Sequence, residues 1–251
     1  MKAPSMLNKV PAVTLGFWII KILSTTVGET GADFLAVNAE LGQALTTTLM
    51  ALALAVMLAV QMKARRYVPW IYWLTVVFVS IVGTQLTDLL TDGLGVSLFL
   101  SSAVFALTLA AIFLGWRWHE GTLSIRHIDT RSREIFYWAA ILCTFALGTA
   151  VGDLATEALG LGFQRGIALF GGLIAFFTIV GLAGVDSVLC FWGAYILTRP
   201  LGAALGDYLT QAPAYGGLGL GALRTSALFL AVIAILVGAA QRVAGRSPAS
   251  A

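Results

Sequence analysis

Long apolar blocks separated by short polar breaks run the length of the chain. Several, such as 44–60 and 97–114, approach the roughly 20 residues that carry a helix across a bilayer. The blocks predict eight helices, over 13–36, 43–62, 68–91, 96–118, 134–156, 164–182, 187–210 and 219–242. Four of the eight are less apolar than the rest, and their polar positions fall in register. FWIIKILSTTVGETGAD (17–33), YWLTVVFVSIVGTQLTD (72–88), YWAAILCTFALGTAVGD (137–153) and FWGAYILTRPLGAALGD (191–207) align without a gap. Each opens on an aromatic–Trp pair: Phe17-Trp18, Tyr72-Trp73, Tyr137-Trp138 and Phe191-Trp192. Ten residues after each Trp stands Gly28, Gly83, Gly148 or Gly202, and fifteen after it Asp33, Asp88, Asp153 or Asp207. Every copy is followed by a plainer apolar block, so the repeating unit is two helices. The expected fold is a single all-α polytopic membrane domain over residues 1–251, with eight transmembrane helices in four two-helix repeats at 13–62, 68–118, 134–182 and 187–242.

Four tandem two-helix repeats, each with its Trp, resemble a family of bacterial membrane proteins described as membrane-anchored and of unknown function. FWIIKILSTTVGETGAD is the most family-like stretch, and the resemblance extends over nearly the whole chain. It implies a fold outline and a multi-pass protein of the bacterial inner (plasma) membrane, and brings no chemistry with it.

Composition agrees with the membrane reading: 59% of residues are hydrophobic and 11% charged, against roughly 25% charged in soluble domains. Residues 1–16 lack the short apolar core and small-residue cleavage site of a cleaved signal, so the first helix is expected to direct its own insertion. Cys143 and Cys190 lie in apolar blocks and form no C-x-x-C, while His119 and His127 lie in a polar loop. Haem held between two histidines inside the bundle and soft-metal clusters are thereby excluded, and no cofactor is expected. The pI near 9.0 does not point to nucleic acid, because the basic residues flank the predicted spans. Lys2, Lys9, Lys63, Arg65, Arg66, Arg117, Arg126, Arg131, Arg133, Arg242 and Arg246 share one side; the other holds Arg165, with Arg224 just inside the last helix. The positive-inside rule then places both termini in the cytoplasm and makes the four motif helices run outward in parallel.

Each motif position has a structural and a functional reading. The aromatic pairs fit an interfacial belt, or faces for an organic cation. The glycines form small-xxx-small patterns with Ala32, Thr87, Gly152 and Gly206, which let helices approach closely in lipid. The aspartates fall about 27–30 Å along their helices at 1.5 Å per residue, as polar outer ends or as a carboxylate ring facing a central path. Four residues before them stand Glu29, Thr84, Thr149 and Ala203, and Thr26 lies seven before Asp33, all near the same helix face. Glu157 and Asp92, one turn beyond, are ordinary loop charges or the rim of an acidic vestibule. Arg199 falls where the other repeats carry Thr25, Ser80 and Phe145, and Pro200 follows it. A guanidinium stays charged, so Arg199 needs an anion or water, and Glu29 and Asp33 match it in depth. A Glu29–Arg199 pair would join the first and last repeats, as a structural clasp or within a transport site. Pro200 is expected to loosen the local hydrogen-bond ladder. Lys21 is expected to snorkel to the cytoplasmic interface.

The expected function is transport of a small cation, a divalent hard metal or an organic cation, along a path lined by the motif helices. Glu29, Asp33, Asp88, Asp153 and Asp207 are the candidate ligands, metal ligands included, with Thr26, Thr84 and Thr149 beside them and Arg199 as internal counter-charge. The rivals are a non-transporting regulatory or assembly protein and a lipid-acting membrane enzyme. Enzymatic function is not expected, because both histidines lie on the side opposite the acidic ends. Without a G-x-x-x-x-G-K-[ST] motif, active transport would use a gradient or a partner. Lipids and the small cation are the expected partners, and a homo-oligomer is compatible with the sequence.

Overall fold

In the computed structural model, which describes residues 8–246, the chain is all-helical. Lys2 and the outermost ends of the 1–251 domain lie outside the described residues, as does the side chain of Arg246. Among the described residues there are eight long helices: α1 (Leu15–Asp33), α2 (Gln43–Lys63), α3 (Pro69–Asp88), α4 (Leu98–Glu120), α5 (Arg131–Asp153), α6 (Phe163–Leu182), α7 (Ser187–Thr210) and α8 (Ala222–Arg246). The expected helix count holds, with shifted ends. α5 begins three residues earlier than expected because Thr130 caps it, accepting from the Arg133 N–H. α4 runs on to Glu120 and takes in His119, which the sequence suggested was in a loop. Seven spans are long and apolar enough to cross a membrane, which makes the chain a multi-pass membrane protein. α1 is outside that set: its 19 residues include Lys21, Glu29 and Asp33.

The helices form two layers. α1, α3, α5 and α7 pack side by side in a closed ring, α1 on α3, α3 on α5, α5 on α7 and α7 back on α1. α2, α4, α6 and α8 lie outside. Only 17%, 11%, 11% and 17% of their spanning windows are buried, against 61%, 72% and 56% for α3, α5 and α7. The outer helix of each repeat packs chiefly on the motif helix of the next repeat: α2 on α3, α4 on α5, α6 on α7, and α8 on α1. The two-helix unit of the sequence is therefore not a packing unit, and α8 closes the circle by covering the first repeat.

Glycine makes the ring tight. A Cβ at Gly28 would overlap Ser80; at Gly83, Phe145; at Gly148, Arg199; and at Gly202, Thr25. These contacted residues are the four that share Arg199's place in the repeat. Each motif helix thus sets its glycine against that one position of the next helix, around the whole ring. Van der Waals contact between backbones is what holds helices together where lipid is as apolar as the side chains. Hydrogen bonds cross the same seams, from Thr25 Oγ1 to the Thr198 carbonyl at 3.2 Å and from Thr87 Oγ1 to the Ala146 carbonyl at 3.0 Å. Many hydroxyls bond back to carbonyls of their own helix, as Ser24 does to Ile20 and Thr149 to Phe145, so these groups are satisfied within one span.

Immediately after their aspartates, α1, α3 and α5 widen into one π-helical turn, over Phe34–Asn38, Leu89–Gly93 and Leu154–Ala158. The chain then reverses; at Gly42 and Gly162, with φ of 73° and 74°, only glycine turns without strain into α2 and α6. α7 has no such turn. It also runs through Pro200 as one continuous helix, although proline has no N–H to offer the Ile196 carbonyl. Pro200 instead packs its ring against Gly148 and Gly152 of α5.

The ring packing predicts opposite outcomes for one substitution at two sites. Gly202→Ala, which puts a methyl into Thr25 and close to the Thr26 backbone, should destabilise by about 1–3 kcal/mol. Gly172→Ala on exposed α6, where a Cβ has nothing within 4 Å, should be neutral or stabilise by up to about 1 kcal/mol. Thermal unfolding in detergent reads both.

Candidate functional site

The two ends of the ring differ in chemistry. At the Trp end, the first aromatic of each motif packs on the Trp of the next repeat. Ring centroids are 5.5 Å apart for Phe17–Trp73, 5.6 Å for Tyr72–Trp138, 6.4 Å for Tyr137–Trp192 and 5.7 Å for Phe191–Trp18. Tyr72 and Tyr137 also share a hydrogen bond between their hydroxyls. Most of these rings are buried. An interfacial belt facing headgroups is therefore not what they form; they close one end of the ring from within. The segment before α1 lies across this end. Lys9 Nζ donates to Glu134 Oε2 at 2.6 Å and to the Met62 carbonyl at 3.2 Å, all within the protein. The Ile128 N–H donates to Asn8 Oδ1 at 3.1 Å, and Trp192 Nε1–H donates to the Leu123 carbonyl at 3.0 Å.

Further along, two cationic side chains cross the interior. Lys21 of α1 reaches the opposite helix: its Nζ sits 3.9 Å from the Phe145 ring centre on α5 and 4.3 Å from that of Tyr195 on α7. It is 1% exposed and makes no hydrogen bond among the described residues. The snorkelling expected for it does not occur, because the close ring walls it off from the interface. Arg199 of α7 spans the other diagonal. Its guanidinium forms a salt bridge with Glu29 on α1 and donates to Thr84 Oγ1 on α3 and, at 3.2 Å, to the Thr25 carbonyl. Glu29 and Arg199 are thus paired, and the first and last repeats are joined through them, with repeat two as third party.

Beyond this pair the interior opens into a cavity of about 390 Å³ at the Asp end. Asp33, Asp88, Asp153 and Asp207 all line it, as do Glu29, Asp92 and Glu157; among the described residues no lining residue is basic or aromatic. Asp92 and Glu157 are exposed at its rim, while Glu29 and Asp207 are 7% and 6% exposed at depth. The aspartates are therefore one inward-facing set, and Asp92 and Glu157 belong to it rather than to loops. Asp88 is held by Gln43 Nε2–H at 3.4 Å. Asp207, by contrast, makes no side-chain hydrogen bond or ion pair among the described residues. The three threonines do not belong to the cavity. Thr26 and Thr149 are fully buried and bond to the Ile22 and Phe145 carbonyls, and Thr84 is occupied by Arg199 and the Ser80 carbonyl. Helix periodicity put them near the aspartate face, but the glycine contacts bring the next helix over that stretch and seal it.

Residues the sequence reading passed over also contribute. Gln43, at the start of an outer helix, and Gln85 and Gln211 reach the cavity wall. Gln211 had a signal: it occupies the repeat position of Asp92 and Glu157. Gln43 had none, since its place depends on α2 packing across to α3.

Replacing one member of the buried pair, as in Arg199→Gln or Glu29→Gln, should cost about 3–5 kcal/mol by stranding the other charge. The double variant should lose clearly less than the sum of the two, as read by a thermal double-mutant cycle.

No curated protein and no solved structure matches this chain. The family described as Repeat of Unknown Function (DUF347) matches it four times, over residues 16–67, 71–122, 136–183 and 190–246. These matches fall on the four motif-plus-outer-helix units and together take in most of the sequence, so the chain belongs to the DUF347 repeat family.

Proposed function

We propose that this protein is a membrane carrier for a small cation, a hard metal ion or an organic cation, entering through the acidic cavity. The single observation that carries the reading is that cavity. Seven carboxylates converge on it with no basic residue in its wall, and burial deepens from Asp92 and Glu157 to Glu29 and Asp207. Such a concentration of acid inside a membrane domain is costly and marks a cation pathway by default. The field of the cavity draws cations in and repels anions.

In this reading α1 is the eighth span, its polar residues tolerated because they face the ring. The motif helices run parallel, which accords with their Trp ends meeting one another and their Asp ends meeting one another. Lys63, Arg65, Arg66, Arg117, Arg126, Arg131 and Arg133 lie at the Trp end. The positive-inside rule makes that end and both termini cytoplasmic, in a bacterial inner membrane. The cavity then faces outward. Arg199, Lys21 and the aromatic rings fill the interior below it, so the reading is a carrier rather than an open pore. A cation at Glu29 competes with Arg199 for the same carboxylate, and release of Arg199 is the event that would couple binding to opening of the lower half.

The regulatory or assembly alternative has its best surface in the basic 121–133 segment, which is largely tied down by the chain before α1 and by Arg133 pairing with Glu120 and Asp129. A lipid-acting enzyme would have to work with carboxylates alone.

Flux into proteoliposomes tests the proposal, with Mn²⁺, Mg²⁺, Ca²⁺ and tetraethylammonium offered separately. At least one should cross faster than in protein-free vesicles, and Asp33→Asn should reduce that rate by about tenfold or more. Absence of protein-dependent flux for every cation would remove the carrier reading.

A further inference from the structure

We infer that Glu29, Asp33 and Asp207 form a binding site for a hard divalent cation, built between the first and last repeats. The inference rests on the cation-carrier reading for its purpose and on separate observations for its address. One carboxylate oxygen from each of the three lies within 4.8 Å of the other two. Three oxygens spread evenly around an ion held at 2.3–2.6 Å stand about 4.0–4.5 Å apart, so one ion can reach all three with side-chain adjustment of a few tenths of an ångström and no movement of the helices.

The second observation is Asp207. A carboxylate 6% exposed inside a membrane domain ordinarily has a donor. Asp88, its counterpart in repeat two, has Gln43. Asp207 has none among the described residues; Asp33 and Asp153 share that lack but are only half-buried, whereas Asp207 is buried beside Glu29 and Asp33 in the cavity wall. A group so placed lacks something that a cation supplies. The local backbone sets it apart as well. α7 continues past Asp207 without the π-helical turn of the other three motifs, and Gly206 abuts Glu29 and Thr30 of α1, with a built Cβ 3.4 and 3.3 Å from them. That close seam carries the carboxylates of α7 and α1 to within one ion's width of each other.

Donor chemistry selects the class. The three ligands are all carboxylate oxygens, and among the described residues no His, Cys or Met lines the cavity, which favours Mg²⁺, Ca²⁺ or Mn²⁺ over soft or borderline metals. Organic ammonium ions are disfavoured because no aromatic ring lines the cavity either. Arg199 bounds the site from below. Bonded to Glu29, it makes the set less negative, and an ion entering the site competes with it for that carboxylate.

Binding to the purified full-length chain in detergent tests this, with Mn²⁺ as the probe, read by loss of the free-ion EPR signal and by thermal shift. Wild type should bind Mn²⁺ saturably, with competition by Mg²⁺ or Ca²⁺ and none by tetraethylammonium. Asp207→Asn should weaken Mn²⁺ binding about tenfold or more, since affinity follows ligand charge, and should raise the melting temperature without metal because it removes an unpartnered buried charge. Asp33→Asn provides a second reading of affinity, and Asp186→Asn at the other end should leave it unchanged. Non-saturable Mn²⁺ binding, or full affinity in Asp207→Asn or in Asp33→Asn, overturns the site. If vesicles transport a cation while Asp207→Asn binds Mn²⁺ normally, the carrier reading survives and this address falls. If Mn²⁺ binds as expected but no cation crosses, the address stands and the carrier reading falls.

Discussion

The buried contact between Arg199 and Glu29 is the interaction around which the interior is organised. A guanidinium keeps its charge at any accessible pH, so its burial has to be matched by an anion and by hydrogen-bond acceptors. Here one arginine draws a carboxylate from α1, a hydroxyl from α3 and a carbonyl from α1, and ties three of the four ring helices to one point. Its stem rests on Gly148 of the fourth. All four repeats thus meet at a residue that only one of them carries.

Around that point, fourfold repetition supplies the frame and departures from it supply the chemistry. Glycine against the next helix recurs in all four seams, and so does aromatic against the next Trp. The displaced outer helices make these seams mutually dependent, since each outer helix lies chiefly over the motif helix of the following repeat. The singular residues sit inside this frame. Lys21 and Arg199 take the two diagonals, Glu29 replaces threonine or alanine, and Pro200 fills the groove of Gly148 and Gly152. A strictly symmetric ring would place four like groups at each depth and leave a uniform axis. The asymmetric one holds the Arg199 guanidinium and the Lys21 amine beneath an acidic cavity. In the carrier proposed above, that order of charge, acid above a buried guanidinium, is what would admit a cation and arrest it until Arg199 moves.

Much of this was legible in the residues alone. The repeat, its register and the eight helices follow from periodicity, because a helix that must satisfy its own backbone in lipid leaves a long apolar signature. The Glu29–Arg199 pairing could be read from depth, since rise per residue converts sequence offset into height. Depth, however, carries no information about azimuth in the assembled ring. The sequence therefore placed Thr26, Thr84 and Thr149 beside the aspartates, whereas the glycine seams bury them, and it sent Lys21 toward the interface when the ring holds it inside.

By itself, the sequence determined a repeated, all-helical membrane protein with its charges at defined heights, because hydrophobic periodicity and axial rise are local properties. Only the tertiary structure decided which helix lies next to which, and hence that α2 covers α3, that the aromatic pairs plug the ring, and that seven carboxylates share one cavity. The physical reason is that in lipid, neighbours are chosen by close van der Waals fit and by the partners that buried charges demand. Both depend on surfaces from distant parts of the chain meeting in three dimensions.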